Sequence, residues 1–249
     1  MAFILTAVWL FLTPDRLFGK ASAIGYAVCH QIPERTFYVN GRPLPLCARC
    51  SGMFLGAVLG VVYQAGQGRK GKMPPLAVLI LLGVLALAWA LDGVNSFAML
   101  VPAIPSLYAT QNWTRLITGT GMGLGLSAIL LPSFIQTVFK DWEDVSSLGN
   151  WKQVLGLLLI AAVMDVLTLL EIPWVLLPLG FISAAGVLVL LTIVYSMVLV
   201  MIFRKENTYT RLGQMVNALV GGYMVALIQI GAIDLLRYTW TGTWSGFTF

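Results

Sequence analysis

The feature that most constrains this chain is a succession of apolar runs, each near the length of a membrane span, joined by short polar connections. About 20 apolar residues in a helix cover the roughly 30 Å hydrocarbon core of a bilayer. Length and apolarity delimit five spans: Leu76 to about Phe97, Leu116 to about Phe139, Val154 to Leu170, Val175 to Phe203, and Leu212 to about Leu236. A sixth, Ser51 to Ala65, is shorter and Gly-rich. The segment Ala2 to Thr13 is a candidate seventh, although about 12 residues reach only about 18 Å as helix and must tilt, thin the bilayer or lie re-entrant. The expectation is an all-α, polytopic transmembrane bundle of six to seven helices. Residues 1–249 form a single integral membrane domain in this reading, with a Cys/His loop segment over 14–50 and the bundle over about 51–237.

Composition excludes other classes. Only 10% of the residues are Asp, Glu, Lys or Arg and 59% are hydrophobic, against roughly 25% charged in an average soluble domain. No length remains for a soluble catalytic or nucleic-acid-binding domain. The net charge of +5 does not point to nucleic acid, because the basic residues sit in clusters between apolar spans, as charges that orient helices do. The expected partners are the lipid bilayer and other membrane subunits. Ala2 to Thr13 has the apolar length of a signal-peptide core but lacks a basic leading region and a small-residue cleavage site, so it reads as a short first helix.

Alternate sides of the bundle carry different basic residues. One side collects Arg69, Lys70, Lys72, Lys140, Lys152, Arg204, Lys205 and Arg211; the other holds Arg16, Lys20, Arg35, Arg42, Arg49, Arg115 and Arg237. Five of the second group lie in or beside the cysteine-bearing segment, where they serve the site; without them the count is eight to two. That bias puts the Gly68–Lys72 loop in the cytoplasm and the Cys/His segment outside, in the cell membrane of a multi-pass protein. The same topology gathers Asp92, Asp165, Glu171 and Asp234 in the outer half of the bundle, with Arg115 and Arg237 at the span ends there.

The chemistry is concentrated between Pro14 and Gly52, the one long polar stretch. Asn40-Gly41 reads as a turn, and Pro43 and Pro45 forbid a regular helix up to Cys47, so a structured loop or hairpin is expected. All three cysteines, Cys29, Cys47 and Cys50, fall here beside the only histidine, His30. Cys47 and Cys50 have the Cys-x-x-Cys spacing with which two thiolates grip one ion, and Cys29 with His30 completes a tetrahedral Cys3His set. A sulfur-rich set favours zinc among the transition metals. Adjacent residues seldom both ligate one ion, so His30 in a supporting role is an alternative.

Thiol redox chemistry is a second reading. Cys50 lies at the entry to the helix expected from Ser51, where helix amides and Arg49 favour a thiolate. Such a pair could exchange disulfides and pass electrons to a quinone. The bland reading is a structural disulfide, or thiols packed as small apolar groups. A c-type haem is disfavoured because Ser51, not histidine, follows Cys50.

These residues resemble a family of uncharacterised prokaryotic membrane proteins grouped as a domain of unknown function. Its hallmark is Cys-His-Gln, then Pro-x-Arg-Ser-Phe, then Pro-x-Cys-x-Arg-Cys-x-Gly at a helix start. Cys29, His30, Gln31, Pro33, Arg35, Phe37, Pro45, Cys47, Arg49, Cys50 and Gly52 match, with Thr36 in place of the usual Ser. Asp92-Gly93 and Arg115 to Gly119 are also similar. The resemblance covers roughly residues 25 to 125 and implies no reaction.

Other features extend the site. Arg35, Arg49, Asp92 and Arg115 are its expected supporting residues, with Asp92 and Arg115 paired as ions across neighbouring helix ends. Asp234 and Arg237, at i and i+3, are expected to pair on one helix face. Asp165, alone in an apolar span, points to a proton or cation path, and Asp92 and Asp234 would join it in a transporter. Gly52, Gly56 and Gly60, like Gly121 and Gly125, recur every fourth residue as helix-packing stripes. Trp113, Trp174, Trp240 and Trp244 fit an interfacial belt.

Overall fold

Apolar runs this long close their own backbone hydrogen bonds as helices, and the computed structural model, which describes residues 1–101 and 105–246, is helical through each of them. The helices are α1 Ala2–Leu12, α2 Arg16–Val28, α3 Ala48–Ala65, α4 Leu76–Ala98, α5 Asn112–Val138, α6 Trp151–Leu169, α7 Pro173–Ile202 and α8 Val216–Thr241. Five are long and apolar enough to cross a membrane: α4, α5, α6, α7 and α8, the last with the 3-10 turn Leu212–Met215 that precedes it. Counting α1 and α2, bent by 100° at the break between them, as one span makes six. The architecture is an all-α bundle of membrane-spanning helices.

The shorter Gly-rich helix α3 is not apolar enough to belong to that group, and its place in the bundle supplies the reason. It lies against α5 along its length, from Gly52 beside the Leu116 carbonyl to Gly60 beside the Ser127 hydroxyl, so its surroundings are protein and not lipid. A Cβ at Gly52 or Gly56 would run into the α5 backbone at Leu116 and Thr120, which is why the small-residue stripe is needed. On α5 the matching close contacts come from Gly119 and Gly123, against the carbonyls of Arg49 and Met53. Gly121 and Gly125 face α4 through Leu85 and Leu82. The lipid-facing helix α4 shows the opposite pattern: Leu76, Ile80, Val84, Leu87, Leu91 and Val94 are exposed down one side, while Val78, Leu82 and Asp92 are buried.

The polar stretch from Pro14 is not loop throughout. Arg16–Val28 is helical, and it buries Ala21, Ala23, Ile24, Gly25 and Tyr26. The charge at Lys20, which reads as a loop residue in sequence, closes the end of α1 by donating to the carbonyls of Leu10 and Thr13. Between Cys29 and Cys47 the chain is a loop carrying a two-stranded hairpin, β1 Tyr38–Val39 and β2 Arg42–Pro43. Its turn places Asn40 at φ 50° and Gly41 at φ 75°, the left-handed pair that two-residue hairpins require.

At the opposite end, the basic connections are knitted together by backbone bonds with no counterpart in the sequence pattern. Glu143 N donates to Arg69 O (2.9 Å), Gly71 N to Glu143 O (3.1 Å) and Lys140 N to Tyr209 O (2.9 Å).

Candidate metal centre

Two helix ends meet at the cysteines. Cys29 ends α2, its amide donating back to Gly25 O at 2.8 Å, and Cys47 is the residue on which α3 begins. Because α3 starts at Ala48, three residues before the expected Ser51, Cys47 and not Cys50 occupies the cap where helix amides favour a thiolate. The loop is held against α2 by Gln31, at φ 51°, whose side-chain amide donates to Ser22 O (2.9 Å) and Pro45 O (2.7 Å). Pro45 O lies so close to Gly25 that no side chain would fit there.

This closure brings Cys29 Sγ, a His30 ring nitrogen and Cys47 Sγ all within 4.8 Å of one another. The Cys29 Sγ to His30 Nδ1 distance is 3.7 Å. Two backbone amides point at Cys29 Sγ, Gln31 N at 3.4 Å and Cys47 N at 3.3 Å, an arrangement that suits a sulfur carrying negative charge. Cys29 and Cys47 are buried; His30 and Cys50 are half-buried. Cys50 stands outside the group of three, but its thiol is near enough to interact with both other sulfurs. Hydrogen bonding from Cys29, then from Cys50, holds the Cys47 thiol well below the ordinary thiol range; the same contact with Cys47 pushes Cys29 up to about 12. Among the three thiols, the contacts therefore favour ionisation at Cys47 over Cys29 and Cys50. The three thiols are free and form no disulfide with one another.

The supporting residues are arranged differently from the sequence expectation. Asp92 pairs with Arg49 and not with Arg115: Arg49 Nη2 bonds both the Asp92 carboxylate and the Asp92 carbonyl (3.0 Å for the latter). The first turn of α3 aims Arg49 at α4, away from the sulfurs. Tyr108 OH completes the Asp92 carboxylate at 2.8 Å. Arg115 instead bonds Thr110 Oγ1 (2.5 Å) and Asn112 Oδ1 (3.0 Å) at its own helix start, and Arg35 Nη2 bonds Ser96 O (2.8 Å).

Asp234 and Arg237 are likewise not an ion pair. Asp234 accepts from Trp9 Nε1 at 3.4 Å, whereas Arg237 reaches the Cys/His loop. Its guanidinium donates to the carbonyls of Tyr26 (2.6 Å), Cys29 (2.6 Å) and His30 (3.3 Å) and lies 3.9 Å from the Tyr26 ring centroid. Sequence reasoning put Arg237 at the correct end of the bundle but gave it the wrong partner. Gln31 and Tyr108 also belong to the neighbourhood; only the first stands in a motif that could have revealed it. Asp165 is buried and accepts from Thr120 Oγ1 of α5 at 2.6 Å. Each of the three intramembrane aspartates is therefore bonded by a different element. Trp244 is half-buried against Tyr26 (ring centroids 5.2 Å apart) and not part of an exposed belt, unlike Trp113, Trp174 and Trp240.

Residues 29–129, which carry both halves of the cysteine cluster, match the family described as predicted membrane protein (DUF2085). An uncharacterized protein of Methanothermobacter thermautotrophicus is 31% identical over 102 residues, which is 41% of this chain and 83% of that protein. The chain belongs to this family. A second relative, an uncharacterized protein of Methanocaldococcus jannaschii, is 27% identical over 123 residues, 49% of this chain and 72% of that protein. No solved structure matches the chain. Membership of DUF2085 and the apolar helices together make this a membrane protein embedded in the lipid bilayer, with a Cys-His-Cys group close enough to bind a metal ion.

Proposed function

We propose that the family's Cys/His segment is a transition-metal centre, with zinc its preferred ion, held by Cys29, His30 and Cys47 and with Cys50 as the fourth ligand. The observation that carries this reading is the mutual approach of three ligand atoms from two chain segments within 4.8 Å. Sulfur and imidazole donors are the set that binds Zn²⁺ tetrahedrally. Three features support it: the amides directed at Cys29 Sγ, the ionisation favoured at Cys47, and Arg237 fixing the carbonyls on either side of Cys29. Arg35, Arg49, Asp92 and Arg115 form the polar layer beside the centre. The basic loops at the other end of the bundle support an extracytoplasmic position for the centre.

Metal analysis of the purified full-length protein tests this directly. The expected content is about one zinc equivalent per chain, as for a four-ligand site, lost in Cys47→Ser and reduced in His30→Ala. A protein that holds no transition metal while its thiols are reduced would sink the reading.

The chemistry of the cluster suits one second reading, a thiol–disulfide oxidoreductase in which a substrate thiolate opens a Cys47–Cys50 disulfide, with Cys47 as the leaving thiolate, and the substrate's second thiol resolves the mixed disulfide, so that the substrate is oxidised to a disulfide and Cys47 and Cys50 are left as the dithiol. Two electrons would then pass from the dithiol to a quinone-class acceptor. Thiol trapping in intact membranes checks it: Cys47 and Cys50 must alternate between reduced and oxidised forms when the acceptor pool is switched. A pair that stays in one state under both conditions rules it out.

A further inference from the structure

Beside the cysteine cluster, at the level where α3 and α5 begin and α4 ends, cationic charge exceeds anionic charge inside the protein. Arg35 and Arg115 are 7% and 5% exposed, and Arg49 only partly exposed, while Asp92, at 1%, is the carboxylate paired with Arg49. The three guanidiniums are close enough to oppose one another electrostatically; burial, then neighbouring Arg49, hold Arg35 below its ordinary value. The single negative charge of a Cys3His zinc centre would offset one more positive charge. Among the buried groups one cation is still left over, with the exposed Glu34 the further carboxylate that acts on Arg35, in surroundings where an unbalanced charge is costly.

The donors tell the same story. Arg35 makes one side-chain bond, from Nη2; Arg49 bonds Asp92 only through Nη2; Arg115 uses Nη1 and Nη2 on Thr110 and Asn112. Among the described residues, the Nε atoms of Arg49 and Arg115 are buried and have no partner. Guanidinium donors left open on neighbouring buried arginines suit the oxygens of a tetrahedral or planar oxyanion, and arginine is the residue that recognises phosphate in a forked geometry. Exposed Trp113 in the first turn of α5 marks this level as the membrane–water interface, where lipid phosphates lie.

We propose that Arg35, Arg49 and Arg115 form a binding site for a phosphate group, presented by a lipid headgroup or by free phosphate. The site is formed by residues other than the proposed metal ligands.

The test uses the full chain in a nonionic detergent. Radiolabelled inorganic phosphate is titrated in one arm and a short-chain phosphatidic acid in the other, with bound ligand measured after gel filtration. At least one arm should saturate, and Arg115→Lys and Arg35→Gln should weaken it tenfold or more, whereas exposed Arg42→Gln should not. Saturation with phosphate assigns a free-anion site; saturation with phosphatidic acid alone assigns a headgroup site. Asp92→Asn, which removes the competing carboxylate, should tighten binding at least threefold, and circular dichroism of each arginine variant separates lost binding from misfolding. No saturable binding in either arm, or equal binding in the arginine variants, overturns the proposal.

Discussion

At the scale of single residues, the ion pairs show how far sequence spacing reaches. Asp92 and Arg115 were legible as site residues because charge inside an apolar span is rare, but the partner of each was not. Arg49, Arg115 and Arg35 all reach the same end of the bundle, and which one finds Asp92 depends on the helical phase of α3, shifted by its start at Ala48. Removing one member of a buried pair costs about 3–5 kcal/mol because the other is left uncompensated. Asp92→Asn should therefore lower the unfolding midpoint in SDS titration clearly, toward the lower end of that range, since Arg49 keeps 13% of its side chain exposed. Lys72→Gln, in the exposed pair with Asp144 (57% and 74% exposed), should change it little, within the about 0–1 kcal/mol of surface pairs.

At the scale of elements, the long apolar helices could be read from length alone, and their observed bounds lie within a few residues of the expected ones. The elements that differ are those whose surroundings are protein. α2 is hidden because it carries Arg16 and Lys20 and sits among prolines, whereas α3, expected over Ser51 to Ala65, differs in starting at Ala48. The glycines separate these two cases experimentally. Gly56→Val pushes a branched side chain into the α5 backbone at Thr120 and should prevent stable folding. Gly83→Ala on α4 meets nothing within 4 Å and should be neutral or slightly stabilising, by up to about 1 kcal/mol from helix propensity. Thermal stability of the two variants in the same detergent checks the contrast; equal losses would mean that α3 and α5 are not in close contact.

At the scale of the molecule, the bundle has two unlike ends. One carries exposed basic side chains on loops joined by backbone hydrogen bonds; the other turns its arginines inward, onto Asp92 and the Cys/His loop. Of the basic residues at that second end, Arg35, Arg49, Arg115 and Arg237 are held by bonds inside the protein while Arg16 and Arg42 are exposed, so the residues set aside in the count of Lys and Arg are not the same as those the fold engages. Labelling with a membrane-impermeant maleimide should distinguish the ends in intact cells: Arg42→Cys reacts from outside, and Lys205→Cys reacts only after lysis. The reverse pattern would invert the assigned orientation and leave the cysteine geometry untouched. What the sequence could not reveal at this scale is long-range closure, since hydrogen bonds between residues far apart in the chain leave no periodic trace.

The clamp formed by Arg237 carries a consequence for the birth of the protein. Its bonds to Tyr26, Cys29 and His30 join residues 211, 208 and 207 positions apart. A chain made from its N-terminus cannot form them until α8 has been synthesised and inserted. During that whole interval the carbonyls around the first cysteine have no anchor, although Cys47 and the α3–α5 packing are already available. The loop that presents Cys29 and His30, near the beginning of the sequence, is thus among the last parts of the molecule to be fixed in place.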